Sequence, residues 1–227
     1  MGVVTENTVV FNELTATSPH SKESDDANVL TNIYRDDTNI TVWQREMQQD
    51  LTAAVGSFLH ERPTRATVLA VTPESAYQQL CEKFGASEDV MTLSKDIALL
   101  VDMFCCLFDL KQAGLRLSIL EHAMCPRFHV DHIPCRLVTT YRGVGTQWLP
   151  HYAVDRTKLG AGNQGKPDEI SGLFNDIADI NQLTQGDVAL LKGEGWNEQT
   201  GAGIVHRSPV IPAGERRLIL TLDFMND

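Results

Sequence analysis

The chain has 227 residues, 42% of them hydrophobic, which is enough for a sizeable core and excludes a wholly disordered polymer. Its 30 acidic and 19 basic residues give a formal charge of −11, a surface that repels phosphate backbones. No Lys/Arg cluster offsets it and no apolar run approaches the roughly 20 residues of a membrane span, so neither nucleic acid nor membrane is an expected partner.

The opening MGVVTENTVVFNEL lacks the basic start and apolar centre of a signal peptide, and Glu6 argues against myristoylation of Gly2. The five cysteines, two of them adjacent, do not form a disulfide framework and point to a reducing, cytoplasmic setting. Residues 1–37 are polar and read as a mobile or loosely docked leader, with an added strand around Thr8–Phe11 as the alternative.

Residues 38–114 read as a helical region. Val42, Met47, Leu51, Val55 and Leu59 recur on roughly one helical face. Thr72-Pro73 is an N-cap followed by proline in the first turn, opening a helix that runs toward Gly85. Ser87 caps a third helix, apolar on most sides, expected to stop at Gly114, with Cys105 and Cys106 as small core residues.

Residues 115–227 change texture. Leu115–Leu120, Cys135–Tyr141, Asp187–Lys192, Ala202–His206 and Arg217–Phe224 are short β-type runs separated by Gly, Pro and Asn, as in a sandwich or barrel. Residues 151–185 interrupt them as an insertion, with GAGNQGKPDE a flexible loop and LFNDIADINQL a short helix.

Chemistry concentrates in this second half. His129 and Asp131 are two positions apart, and on a strand such residues point to the same face, so one metal could meet both. His206 ends a β-type run, and Arg216 follows it by ten residues across a Pro- and Gly-containing turn. Antiparallel pairing would bring Arg216 and His206 to one cavity, where a guanidinium can grip a carboxylate in bidentate fashion. Thr139 and Tyr141 share one face of the strand that follows the first ligand pair, with Arg136 on the other. Either face could line the cavity, and Thr139 and Tyr141 are taken as the candidate cofactor contacts.

The combination His129-x-Asp131, His206 and Arg216, with the strand QGDVALLKG before the distal histidine, resembles the iron(II)/2-oxoglutarate-dependent oxygenase superfamily over about residues 115–225. Over more of its length the chain also resembles a bacterial family of undescribed function. The first resemblance implies a double-stranded β-helix, or jelly roll, and an α+β chain whose N-terminal helical region packs on it. It further implies Fe(II) held by His129, Asp131 and His206, 2-oxoglutarate anchored by Arg216, and hydroxylation of a small molecule or peptide. Two imidazoles and one carboxylate leave open positions on iron(II) for such chemistry. The sequence departs from the pattern at Leu218, where many members carry Ser or Thr two residues after the arginine. Arg217 is the alternative anchor, since alternation lets only one of the two neighbours face inward.

A rival site overlaps the first ligand pair. Cys125, His129, His132 and Cys135 form a C-x3-H-x2-H-x2-C string, and thiolate with imidazole favours zinc. A zinc-binding protein without redox catalysis is therefore the alternative, and an interaction module of the same fold is a third reading.

Overall fold

The computed structural model describes residues 19–196 and 201–225, so the strand considered at Thr8–Phe11 lies outside the described residues. The fold is mixed α/β around a seven-stranded sheet. Its strands are β1 (His20–Ser24), β2 (Thr38–Trp43), β3 (Arg65–Val71), β4 (Ala113–Leu120), β5 (Cys135–Arg142), β8 (Val188–Lys192) and β10 (Arg217–Phe224), in the order β1-β2-β8-β5-β10-β4-β3. A second sheet has the order β7-β6-β9, from β6 (Gln147–Leu149), β7 (Asn181–Gln182) and β9 (Val205–Arg207). Apart from β1 with β2, every pairing is antiparallel.

The leader is docked where it is described. Asp26 accepts a hydrogen bond from the Asn28 N–H and opens a 3-10 helix over Ala27–Tyr34 that buries Val29, Leu30 and Ile33. Three buried aliphatic side chains are each worth about 1.5–3 kcal/mol, which outweighs the polar composition around them. The region from 38 to 114 is not purely helical either. Val42 sits in β2, and β3 separates the first two helices, because both segments find hydrogen-bonding partners far along the chain, in β8 and β4.

Helix α1 (Gln49–His60) buries Leu51, Val55, Phe58 and Leu59. Helix α2 (Pro73–Phe84) begins where its sequence signals place it, with Thr72 accepting from the Ser75 N–H and Ser75 Oγ accepting from the Thr72 N–H. Helix α3 (Glu88–Phe108) is capped by Ser87 but ends six residues before Gly114. Asp109 adopts the left-handed conformation at φ 53° and its N–H closes on the Cys105 carbonyl, while Gly114 lies inside β4. Cys105 is buried in the core; Cys106 is exposed.

Alternation along the strands divides the interior into three layers. Leu218, Leu220 and Leu222 of β10, with Leu137 and Tyr141 of β5, face the three helices and form the main core. Ile219, Val138, Ala189 and Leu191 face the other way, and meet Trp148 and Ile204 between the sheets. Behind the small sheet, Leu149, Val205 and Phe128 pack on Leu173 and Phe174 of the insertion. The insertion itself holds α4 (Asp168–Ser171), which begins at the end of the segment read as loop, while the segment read as helix contains a 3-10 turn at Ile177–Asp179 and the short strand β7.

Candidate metal centre

His129 belongs to no regular strand. It reaches the small sheet through one antiparallel bridge to His206, with its N–H on the His206 carbonyl at 3.0 Å and the reverse bond at 2.9 Å. Residues paired in this way present their side chains on the same side. The two imidazoles accordingly stack with centroids 4.6 Å apart. Asp131, two residues along, comes to the same place: its carboxylate oxygens lie 3.6 Å from His129 Nε2 and 3.5 Å from His206 Nε2. Ligand atoms of all three lie within 4.8 Å of one another, the one such group of three among the described residues.

The surrounding bonds engage the two Nδ1 atoms and Asp131 Oδ2, leaving both Nε2 atoms and Asp131 Oδ1 as the open donors. His129 Nδ1 donates to the Arg127 carbonyl at 2.9 Å, and His206 Nδ1 faces the Ile204 carbonyl at 3.3 Å. With Nδ1 carrying the proton, both Nε2 lone pairs point toward the carboxylate, the tautomer a metal-binding histidine needs. Arg136 donates to Asp131 at 2.7 Å and makes two bonds to Asp223, at 2.7 and 2.9 Å. The Asp131 loop lies directly on the backbone of residues 193–195. A Cβ on Gly193 would sit 2.1 Å from the Ile133 carbonyl oxygen and 2.6 Å from that of Asp131, so the approach requires glycine.

The electrostatics follow from this packing. Burial alone would raise the Asp131 carboxyl, but His129, His206 and Arg136 outweigh it and hold it at about 2. Asp131 raises His129. Burial pushes His206 down to about 4, so it stays neutral well below pH 7.

The two adjacent arginines separate as strand alternation demands. Arg216 turns to the helix side, where its Nη atoms cap the C-terminus of α1 on the Leu59 and Arg62 carbonyls, each at 2.6 Å. It does not line the cavity that holds His129 and His206; Arg217 does. Arg217 is fully buried, and its partners are the hydroxyls of Ser208, Thr140 and Thr146 at 2.9–3.0 Å. Its Nε has no partner, and no carboxylate lies within 4 Å among the described residues. Burial pushes the guanidinium down to about 10.

Thr139 and Tyr141 likewise do not line this cavity. Tyr141 is buried against the helices and donates to Asp96 at 2.6 Å, while the residues of β5 that line the cavity are Arg136 and Val138. The overlapping zinc string does not converge. Cys135 is fully buried in the helix-side core with its thiol pushed up by burial, and Cys125 and His132 are exposed. The cavity is narrow, about 50 Å³, and its wall includes Leu120, Leu191 and Ile219, with exposed Met124 and Cys125 at the rim. Sequence reasoning missed Thr140, Thr146 and Ser208 around Arg217. The available signal was polarity: Leu218, Leu220 and Leu222 mark the closed face, so the mixed face that carries Arg217, Ile219 and Thr221 is the one that lines the cavity.

A family model described as a protein of unknown function (DUF1826) matches residues 24–223. No curated protein matches the sequence. Among solved structures, a dioxygenase for auxin oxidation from rice superposes with a TM-score of 0.51 at 12% identity, covering 92% of this chain and 83% of its own. A prolyl-4-hydroxylase from Pseudomonas putida gives 0.46 at 14% identity, covering 92% and 99%. A 2-oxoglutarate complex of dioxygenase for auxin oxidation 1 from Arabidopsis thaliana gives 0.46 at 10%, covering 92% and 93%. The rice likeness is one of fold.

Proposed function

The chain belongs to the DUF1826 family, described as of unknown function, and from the chemistry of its cavity we propose that it is an iron(II)- and 2-oxoglutarate-dependent oxygenase, a hydroxylase of a small molecule or peptide. On this reading the two facing sheets are the double-stranded β-helix of that superfamily, residues 38–114 supply its largely helical cover, and residues 151–185 are an insertion. The five free cysteines fit a reducing cytoplasm.

One observation carries the proposal. A fully buried arginine, without a carboxylate partner among the described residues, lines the same cavity as His129 and His206, which are poised with Asp131 as ligands. Burying an unpaired cation is unfavourable by several kcal/mol, so it is retained where an anion completes it. Iron(II) suits the donor set, since one carboxylate and two imidazoles leave positions open, whereas a closed structural zinc site takes four ligands.

The roles then divide among the chain's own residues. His129 and His206 would bind the metal through Nε2 and Asp131 through a carboxylate oxygen. Arg136, bonded to Asp131, holds that carboxylate in orientation. Arg217 would receive the far carboxylate of 2-oxoglutarate, with the hydroxyls of Thr140, Thr146 and Ser208 already turned toward its guanidinium. Bound together, iron(II) and 2-oxoglutarate supply the dioxygen activation that hydroxylation requires. Val138, Leu191 and Ile219 keep water from the cavity, and at about 50 Å³ it leaves the substrate to approach from the rim.

The test is an anaerobic visible titration of metal-free protein with iron(II) and then 2-oxoglutarate. The expected result is a weak charge-transfer band that needs both additions and is lost in Arg217→Met and His206→Ala. No band in the wild-type protein, or one that persists in both variants, would remove the proposal.

A further inference from the structure

The segment carrying His129 has little of its own to hold it. Residues 121–134 contain no helix or strand beyond the single bridge to His206, yet the two histidines are stacked and their Nε2 atoms converge. Backbone bonds to residues 193–195 and 208 tie the segment's Asp131 and Cys125 ends, and beside His129 itself a side chain of the insertion reaches it.

Asp168, at the start of α4, is 3% exposed. One carboxylate oxygen accepts from Arg127 Nε at 2.8 Å, and the other accepts from the Phe128 N–H at 2.8 Å. Arg127 and Phe128 immediately precede His129, and the Arg127 carbonyl is the group that receives His129 Nδ1. The second oxygen also lies 3.6 Å from Arg207 Nη1, on the strand that carries His206. Arg207 is held in turn by Glu169 at 2.9 Å and Gln147 at 2.8 Å, with its guanidinium carbon 4.3 Å from the Phe128 ring centroid. Each ligand histidine thus has a sequence neighbour, Phe128 or Arg207, that meets one buried carboxylate.

Resting on the metal-centre reading above, we infer that the insertion is a working part of that centre: Asp168 is a positioning residue that ties the His129 segment to the His206 strand. A buried carboxylate is retained where it is paired and hydrogen-bonded, and here every bond it makes lies one residue from a ligand or its carbonyl acceptor. Residues of this kind behind metal ligands typically contribute 10–100-fold in metal affinity.

The probe is cobalt(II), titrated into metal-free protein and followed by its visible ligand-field absorption, with thermal unfolding of the metal-free protein alongside. Wild-type protein should give a spectrum that depends on His129, Asp131 and His206. Asp168→Asn should bind cobalt(II) roughly 10–100-fold more weakly, with an altered band shape, whereas Asp176→Asn, at an exposed acid of the same insertion that does not touch the clamp, should keep the wild-type spectrum. If Asp168→Asn does not fold, Arg207→Met loosens the other arm of the clamp and should weaken binding by roughly 3–10-fold. Wild-type affinity and spectrum in a folded Asp168→Asn, or in Arg207→Met where that stands in for it, would overturn the inference and leave the metal site standing. Absence of any ligand-dependent spectrum in the wild type would instead overturn the metal-centre reading.

Discussion

Arg216 and Arg217 are chemically identical neighbours, and the structure gives them opposite work, so their methionine variants should fail in opposite ways. Arg217 is buried among hydroxyls, with its guanidinium held down to about 10, well below the ordinary arginine range. At 1.36 kcal/mol per pH unit this disfavours the charged folded state by about 3 kcal/mol. The sign is that of a cation with a lowered folded value: the destabilisation is fully present below about pH 10 and fades as pH rises from there toward the ordinary arginine range. Arg217→Met removes it, and three lost bonds to hydroxyls at about 1 kcal/mol each offset it. The metal-free protein should therefore unfold within a few degrees of the wild type. Arg216→Met instead strips the α1 C-terminus of two charge-assisted bonds and should lower stability by about 2–3 kcal/mol, or about 4–12 °C in Tm. Adding iron(II) and 2-oxoglutarate anaerobically, each at about 100 times its Kd, should raise stability by about 2.7 kcal/mol per ligand in the wild type and in Arg216→Met. Arg217→Met should keep the iron(II) part of that gain and lose the 2-oxoglutarate part. Differential scanning calorimetry of the three proteins decides it. Loss of the 2-oxoglutarate response in Arg216→Met with its retention in Arg217→Met would refute the assignment.

Metal binding should also be linked to protons in a specific way. Asp131 at about 2 and His206 at about 4 are already in ligating form above pH 5, which leaves His129, raised by Asp131, as the one group whose proton competes. Calorimetric titration in buffers of different ionisation enthalpy should find about one proton released at the acid end of the range and fewer as pH rises through the His129 value. Release of two would show that His206 is not held neutral by burial. At the Asp131 loop, Gly193→Ala drives a Cβ into the Ile133 and Asp131 carbonyls and should lower cobalt(II) affinity by about tenfold or more, read by the same visible titration; unchanged affinity would mean the loop can move without moving its carboxylate.

Much of the scaffold was legible because its signals are local. Thr72-Pro73 and Ser87 open their helices through hydrogen bonds to residues three positions away. The strands β4, β5, β8 and β10 follow short apolar runs bounded by turn residues. What escaped was decided at long range. TNITVW and RATVLAV are strands because β8 and β4 offer them backbone partners, and the 3-10 helix of the leader stays because Val29, Leu30 and Ile33 find a core assembled from residues far along the chain. The end of α3 escaped for a different reason: an aspartate, not the nearest glycine, takes the left-handed position.

The site divides along the same line. His129-x-Asp131 is a spacing of two, and a single bridge to His206 suffices to turn that spacing into a shared face. The arginine is harder, because its count from His206 runs across a turn whose length carries no phase. Phase enters only at β10, where Leu218, Leu220 and Leu222 must all meet the helices and Arg217 must then face the cavity with Ile219 and Thr221. A shift of one residue would bury Arg216 beside the histidines, turn Ile219 toward the helices and expose three leucines to the polar face. The apolar face of β10 therefore selects which arginine faces the cavity: the burial energy of three leucines, about 1.5–3 kcal/mol each, is what forces a cation into a cavity where it has no charge partner among the described residues.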